Sequence, residues 1–248
     1  MRKDVLDTLP RSAEPLSKRR MALTAELVGL CFREECDPGH EPQWTALTDG
    51  DFAQIAQKLD AEAGDEPLWV FAYGSLIWKP GFDSTARQRA TAHGFHRAFT
   101  LKIKRWRGSP AQPGLMMALS RGGRCDGMIY RMAQEDRLAQ IERVLRREVD
   151  SQEMLPSIRW LKVRTTEGDK RVLCFWVGHT ECSVCPLLPL EDVARTLARA
   201  CGHGGSGAEY LYNTVLHLED FGIHDRNLWR LQDLVAREIR ALHGLDAA

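Results

Sequence analysis

A carboxylate at the end of an apolar helix face is the first candidate for chemistry. The periodicity predicts a helix over residues 134–149, and three of its apolar residues share one face: Leu138, Ile141 and Leu145. At about 100° per residue, Glu148 falls on the same stripe. Burial there would disfavour the charged carboxylate and raise its pKa towards the range useful for general acid–base catalysis. The alternative is a frayed last turn, in which Glu148 is solvated or paired with Arg146 or Arg147.

A glycine–serine break after an apolar strand is the second candidate. Residues 68–73 (LWVFAY) have the length and composition of a buried strand, and Gly74 and Ser75 end it. Glycine lets the backbone turn sharply and approach a ligand, and the N–H groups beyond it can bind an anion such as a carboxylate. The alternative is an ordinary strand end with a turn stabilised by serine.

Two further patterns are weighed as cofactor sites. Residues 202–207 formally satisfy GxGxxG, but they follow a predicted helix rather than a strand, which indicates a connection between helices and not a nucleotide site. Cys182 and Cys185 form a CxxC pair near His179 and Cys174, which could bind zinc or act as a redox pair. Because no second CxxC completes a four-cysteine site, isolated thiols are favoured and no metal or cofactor is predicted.

Composition narrows the class of partner. Lys plus Arg equal Asp plus Glu at 34 each, so no basic field attracts nucleic acid. No stretch reaches the roughly 18–20 apolar residues of a membrane span, and the charged first twenty residues do not resemble a secretory signal. The seven scattered cysteines suggest reduced thiols. We therefore expect a cytoplasmic protein with a small-molecule partner; the oligomeric state is left open.

The elements that would position these residues are short strands followed by helices. A helix is expected over 21–35, and Thr48 is predicted to cap a second helix that ends near Gly64. Strands are predicted at 92–104, 115–120 and 127–132, the last after a turn at Gly122-Gly123, and a hairpin at 158–165 and 171–178. The final helices are predicted at 190–201, 208–221 and 225–243. This order predicts an α+β fold around a mostly antiparallel sheet or barrel, with residues 1–65 as an extension and 66–248 as the catalytic domain.

Five motifs in order resemble one family, the ChaC-type glutathione-specific γ-glutamylcyclotransferases. They are residues 73–80 (YGSLIWKP), 94–99 (GFHRAF), 147–148 (RE), 201–211 (CGHGGSGAEYL) and 222–229 (GIHDRNLW). The resemblance runs from about Trp69 to Val235 and is far more specific than any one motif.

The resemblance implies a fold, a reaction and a set of site residues. It implies a barrel-like cyclotransferase that converts glutathione to 5-oxoproline and Cys-Gly without a cofactor, with Glu148 as general acid/base. Tyr210 is implied as a pocket residue. The turn that would hold the γ-glutamyl group consists of Ala72, Tyr73, Gly74, Ser75, Leu76 and Ile77.

One departure from the family pattern keeps alternatives open. Family members usually carry a glycine and then a tyrosine shortly after the glutamate, whereas Met154 stands in the approximate place of that tyrosine here. Glu153 is a competing carboxylate. The alternatives are therefore ring closure on another γ-glutamyl amino acid or amine, and a γ-glutamyl-binding protein without turnover.

Overall fold

A five-stranded barrel forms the centre of the fold. The computed structural model describes residues 20–176 and 187–245. Its strands close in the order β1-β3-β2-β4-β5, and every neighbouring pair is antiparallel except β1 and β5, which are parallel. The strands are β1 (Trp69–Ala72), β2 (Ser84–Ile103), β3 (Gly114–Met132), β4 (Ile158–Thr165) and β5 (Gly168–Phe175). The predicted α+β fold around a mostly antiparallel barrel is confirmed.

The long β2–β3 hairpin corrects the predicted strands, because β2 already begins at Ser84 rather than at residue 92. Residues 115–120 and 127–132 belong to a single strand, and the turn of the hairpin lies at 104–113. Gly122 and Gly123 do not connect two strands. They have φ values of 97° and 74° and lie where the register with β2 shifts, opposite Gly94. Glycines tolerate this conformation, so the pattern that suggested a turn marks a β-bulge.

Six helices surround the barrel in the part of the chain that the structure describes. Thr48 caps α2 with a capping box to Asp51, and Gly64 ends it, as predicted. The helices are α1 (Ala25–Gly29), α2 (Asp49–Ala63), α3 (Arg137–Glu148), α4 (Leu190–Arg199), α5 (Gly207–Asp220) and α6 (Arg226–Leu242). Within the same residues, no helix is both long and apolar enough to cross a membrane.

The first helix is shorter than the sequence predicted. A helix was expected over 21–35, but the Thr24 hydroxyl caps it at Ala25 and it ends at Gly29. The chain then turns towards the C-terminal half, where the Arg33 N–H donates to Cys201 Sγ at 3.4 Å. A tertiary contact therefore replaces the last turns of the predicted helix.

Two apolar clusters lie on opposite faces of the strands. The smaller includes Phe71, Ile129 and Cys174, and the larger joins the other face of the strands to the helices. Leu23 and Phe52 belong to the larger cluster, and the Leu23 N–H donates to Gln232 of α6 at 2.8 Å. The described part of residues 20–65 therefore packs into the same core as the C-terminal helices.

Candidate active site

Glu148 is the last residue of α3 and lies on its buried face. Ile141, Val144 and Leu145 on this face are fully buried, and the Glu148 side chain is 20% exposed. Leu138, which was predicted to share the face, is 43% exposed. The helix begins only at Arg137, so Leu138 lies in its first turn and points to solvent while Gln140 is buried in its place.

The environment of Glu148 combines burial with one ion pair. Burial raises the pKa of its carboxyl group, and the neighbouring Arg147 guanidinium opposes that shift. Arg147 Nε lies 3.1 Å from Glu148 Oε1. The sequence left open whether Glu148 is buried or paired with a neighbouring arginine. In the structure it is both largely buried and paired with Arg147.

The raised pKa predicts how the Glu148→Gln substitution changes stability with pH. Folded Glu148 holds its proton more tightly than the unfolded chain, whose pKa is near 4.5, so its contribution to stability is largest below that pH. This contribution is lost as the pH rises through the raised folded pKa, whereas Gln does not titrate. The free energy of unfolding of the variant minus that of the parent should therefore increase from pH 4 to pH 7, measured by urea denaturation. A difference that stays flat or falls would mean that Glu148 is not destabilised by burial.

The glycine–serine break forms a short 3-10 turn directly after β1. The turn spans Ser75–Ile77, and the Ile77 N–H donates to the Gly74 carbonyl at 2.9 Å. The Ser75 N–H donates to Tyr210 Oη at 3.2 Å. Gly74 is required sterically, because a Cβ built on it would lie 2.6 Å from Tyr210 Oη. The backbone at the bend therefore approaches the phenol more closely than any other residue type would allow.

Arg147 joins the bend to the end of α3. Its Nη2 donates to Ser75 Oγ at 2.8 Å and its Nη1 donates to the Lys79 carbonyl. The same guanidinium contacts Glu148. The structure therefore brings the two candidates of the sequence, Glu148 and the Gly74–Ser75 bend, to one place.

Tyr210 completes this group from the first turns of α5. Its side chain packs edge-on against Trp78 and Phe99, with ring centroids 6.3 and 5.9 Å away. Burial, and next the negative charge of Glu148, raise the pKa of Tyr210 to about 12. The phenol therefore keeps its proton at neutral pH and remains a hydrogen-bond donor.

The other residues of the predicted substrate-binding turn expose mainly their backbone, because their side chains are packed inside the protein. The side chains of Ala72, Leu76 and Ile77 are buried in the larger apolar cluster. The Tyr73 hydroxyl donates to the Phe175 carbonyl at 2.8 Å, and the Tyr73 carbonyl accepts from Arg97 Nη1 at 3.0 Å. These contacts hold the strand end rigidly behind the bend.

Arg107 is a site residue that the sequence reasoning missed. Its Nη1 donates to Glu209 Oε2 at 2.5 Å and to the Ser206 carbonyl at 2.9 Å, and its guanidinium carbon lies 5.6 Å from the Tyr210 ring centre. It belongs to the β2–β3 loop, about a hundred positions before these partners. No local pattern signals such a contact.

Glu153 and Met154 lie in the short 3-10 helix Gln152–Ser157 that follows α3. The exposed Glu153 carboxylate accepts the Thr45 N–H at 3.0 Å, and hydrogen bonds to backbone amides lower its pKa. Met154 is half-buried against the larger apolar cluster. A low pKa and an existing partner make Glu153 a poor proton acceptor at neutral pH.

The Glu153→Gln variant should therefore keep turnover of γ-glutamyl substrates within about twofold of the parent, because its amide oxygen can still accept the Thr45 N–H. Initial rates of product release, compared with those of Glu148→Gln, test this. Loss of activity in Glu153→Gln alone would assign the proton transfer to Glu153.

Two other patterns in the sequence were considered as metal or nucleotide sites. His179, Cys182 and Cys185 lie outside the described residues, whereas Cys174 is buried within β5. Among residues 20–176 and 187–245, no three His, Cys, Asp or Glu side chains are grouped to hold a metal ion. Residues 201–206 form a small hairpin of β6 (Cys201–Gly202) and β7 (Gly205–Ser206) rather than a plain connection between helices. A cavity of about 350 Å³, lined by Met21, Tyr212 and Trp229 among others, lies beside α1 and away from Glu148.

The proteins that this chain resembles in sequence and fold include ChaC-like proteins and γ-glutamylcyclotransferases. The ChaC-like protein family model matches residues 68–238. The glutathione-specific γ-glutamylcyclotransferase of Escherichia coli is 30% identical over 71% of this chain and 76% of its own length. The γ-glutamylcyclotransferase 2-1 of Arabidopsis thaliana is 32% identical over 71% of this chain and 88% of its own length. The crystal structure of the yeast γ-glutamyl cyclotransferase specific to glutathione shares the fold, with a TM-score of 0.60 at 21% identity over 69% of this chain and 96% of the yeast chain. The chain therefore belongs to the ChaC-like family.

Proposed function

We propose that this protein is a glutathione-specific γ-glutamylcyclotransferase, which converts glutathione to 5-oxoproline and Cys-Gly with Glu148 as general acid/base. The observation that carries the proposal is the contact of Arg147 with both Glu148 and Ser75, which sets a buried carboxylate beside the Gly74–Ser75 bend. The matched relatives with this activity in their names support the substrate class. Residues 66–248 are proposed as the catalytic domain, and residues 1–65 as its extension.

The reaction is an internal transfer of an acyl group. The neutral α-amine of the γ-glutamyl group attacks its own γ-carbonyl carbon, the five-membered lactam forms, and the bond to the cysteine nitrogen breaks. Glu148 takes the proton from the attacking amine and returns it to the departing nitrogen. The atoms of glutathione are divided between 5-oxoproline and Cys-Gly, so no water, metal or redox cofactor enters the balance.

The raised pKa of Glu148 suits this exchange. A carboxylate with an ordinary pKa is a weak base towards an amine, and burial makes it a stronger one. Arg147 opposes the shift and so favours the ionised carboxylate, which is the form that accepts a proton. The opposing effects of burial and Arg147 thus tune a single group for both halves of the transfer.

The bend and Tyr210 supply the hydrogen bonds. The Ser75 N–H and the protonated Tyr210 hydroxyl contact each other, and a substrate oxygen inserted there would accept from both. That oxygen is either the α-carboxylate, which would be anchored, or the oxyanion of the tetrahedral intermediate, which would be stabilised. In either case the fixed groups hold the substrate in its folded-back form, and such positioning can contribute part of about 7–11 kcal/mol.

A second candidate is the same ring closure on another γ-glutamyl amino acid or amine. It is favoured by one observation, the presence of Met154 where family members usually carry tyrosine. A thioether cannot donate the hydrogen bond that a phenol donates, so substrate preference could differ from that of members with tyrosine.

The decisive experiment is incubation of the purified protein with glutathione, followed by mass spectrometry for 5-oxoproline and Cys-Gly. A parallel incubation with γ-glutamyl-alanine separates the two candidates. Faster release from glutathione supports the proposal, and faster release from γ-glutamyl-alanine supports the second candidate. Tight glutathione binding without either product would identify a binding protein. The free cysteines among the described residues and the small-molecule substrate support a cytoplasmic location, which fractionation of the source cells would test.

A further inference from the structure

The chain before the family match contacts α3 along its whole length. The match begins at residue 68, but α2 runs antiparallel to α3. Near its C-terminal end, Asp60 pairs with Arg137, the first residue of α3. At its N-terminal end, Asp49 Oδ1 lies 2.8 Å from Arg146 Nη1, two residues before Glu148. The helix that carries the proposed general base therefore forms ion pairs near both ends with residues outside the family match.

A second part of this segment, residues 37–47, holds the chain just beyond Glu148. We name residues 37–47 the strap. The Gln152 N–H donates to the Thr45 carbonyl at 2.8 Å, and the Leu47 N–H donates to the Asp150 carbonyl at 3.4 Å. Ala46 and Ser151 face each other as an antiparallel bridge. The strap therefore pairs like a short strand with residues 150–152, which would otherwise be the unpaired end of a helix.

Arg105 fastens the strap at its other end. Its Nε and Nη2 donate to the two carboxylate oxygens of Asp37, each at 2.6 Å, in the bidentate geometry that favours arginine. Its Nη1 lies 3.1 Å from His40 Nε2 and 3.4 Å from Asp150 Oδ2. One guanidinium thus binds the strap and the segment after Glu148 together.

The loop that carries Arg105 is itself fixed in place. Trp106 has a φ of 65°, a left-handed conformation that a bulky residue adopts only where its surroundings enforce it. The Gly204 N–H donates to the Trp106 carbonyl at 2.7 Å, and the next residue, Arg107, lies over the Tyr210 ring. Arg105 therefore links a rigid loop on the Tyr210 side of the site to the chain on the Glu148 side.

We propose that the strap and Arg105 form a positioning element that fixes the Glu148 carboxylate relative to the Gly74–Ser75 bend and Tyr210. The inference rests on the proposed function of Glu148. The physical reason is that the last turn of a helix frays unless its end is bound, whereas proton transfer requires a fixed distance. A misplacement of about 1 Å can lower the rate of an oriented reaction about a hundredfold.

The test compares two arginines of similar exposure near opposite ends of α3. Arg105 and Arg137 are 21% and 14% exposed, and each makes several hydrogen bonds. Arg137 reaches Asp60 and the carbonyls of Gly64 and Glu66. Arg105→Gln should lower kcat for glutathione about tenfold with KM within about twofold. Arg137→Gln should leave both constants within about twofold, although both variants lower the unfolding midpoint by about 2–4 °C.

Two further readouts separate positioning from stability. Arg105→Lys, which keeps a cation beside Asp37 and Asp150, should recover part of the lost kcat. Amide hydrogen exchange at residues 149–152 should be accelerated at least about tenfold in Arg105→Gln and unchanged in Arg137→Gln. Equal kcat in the two glutamine variants, or kcat losses that follow the unfolding midpoints, would overturn the proposal. If the unsubstituted protein releases no lactam, the proposed function fails, and the exchange comparison still decides whether Arg105 holds the Glu148 end of α3.

Discussion

The Glu148→Gln variant is expected to lower kcat for glutathione by about 10²–10⁴-fold, the range that general acid–base catalysis contributes. The substitution keeps the shape and the hydrogen-bonding capacity of the side chain but removes the group that accepts the proton. Because the Gly74–Ser75 bend and Tyr210 are unchanged, KM should change much less than kcat. Initial rates of 5-oxoproline release at saturating glutathione measure the effect.

Two controls make this result specific to proton transfer. Glu153→Gln carries the same chemical change five residues later on an exposed side chain, and it should retain activity. Urea denaturation of Glu148→Gln at pH 7 establishes that the variant is folded. Turnover within about tenfold of the parent in a folded Glu148→Gln protein would contradict the assignment of Glu148 as the general acid/base.

The Gly74→Ala variant is expected to lower kcat/KM by at least about a hundredfold, since it displaces the groups that would hold the substrate. The added methyl group would lie 2.6 Å from Tyr210 Oη, well inside van der Waals contact. Either the bend or the phenol has to move, and the hydrogen bond between the Ser75 N–H and Tyr210 is then lost. Overpacking of this kind also destabilises a protein by about 1–3 kcal/mol.

A double substitution separates the clash from other effects of the methyl group. Tyr210→Phe removes the oxygen that the added methyl group would touch, so Gly74→Ala combined with Tyr210→Phe should be less destabilised than the sum of the single variants. Tyr210→Phe alone leaves the Ser75 N–H without its partner, at a cost of about 1–3 kcal/mol if the amide stays buried. Additive changes in the free energy of unfolding would show that the contact between Gly74 and Tyr210 is unimportant.

The comparison of Arg105→Gln with Arg137→Gln tests whether residues before the family match contribute to the site. Glu148 and Gly74 lie within the part of the chain that matches the family, whereas the strap lies before it. A positive result would mean that this protein uses its N-terminal residues to complete the rigidity of a site whose chemical groups are all encoded later in the chain.

The sequence predicted the elements whose signals are local. The Thr48 cap, the end of α2 at Gly64, the strand before Gly74 and the final helices follow from residues a few positions apart, and all are present. The same periodicity placed Glu148 on one stripe with Ile141 and Leu145, which are buried, although Leu138 on that stripe is exposed. Where a local signal had two meanings, as at Gly122 and Gly123, the bulge could not be told from a turn because both require glycine at positive φ.

The assembly of the site was decided by tertiary structure. Arg147 reaches Ser75 across 72 positions, Tyr210 reaches the Ser75 amide across 135, and Arg107 reaches Glu209 across 102. The closed barrel sets these distances, and periodicity carries no information about them. The sequence thus determined which groups could carry the chemistry and on which elements they lie. Only the packing of those elements decided that the carboxylate, the bend and the phenol meet, because contacts between distant residues depend on the whole chain folding around one core.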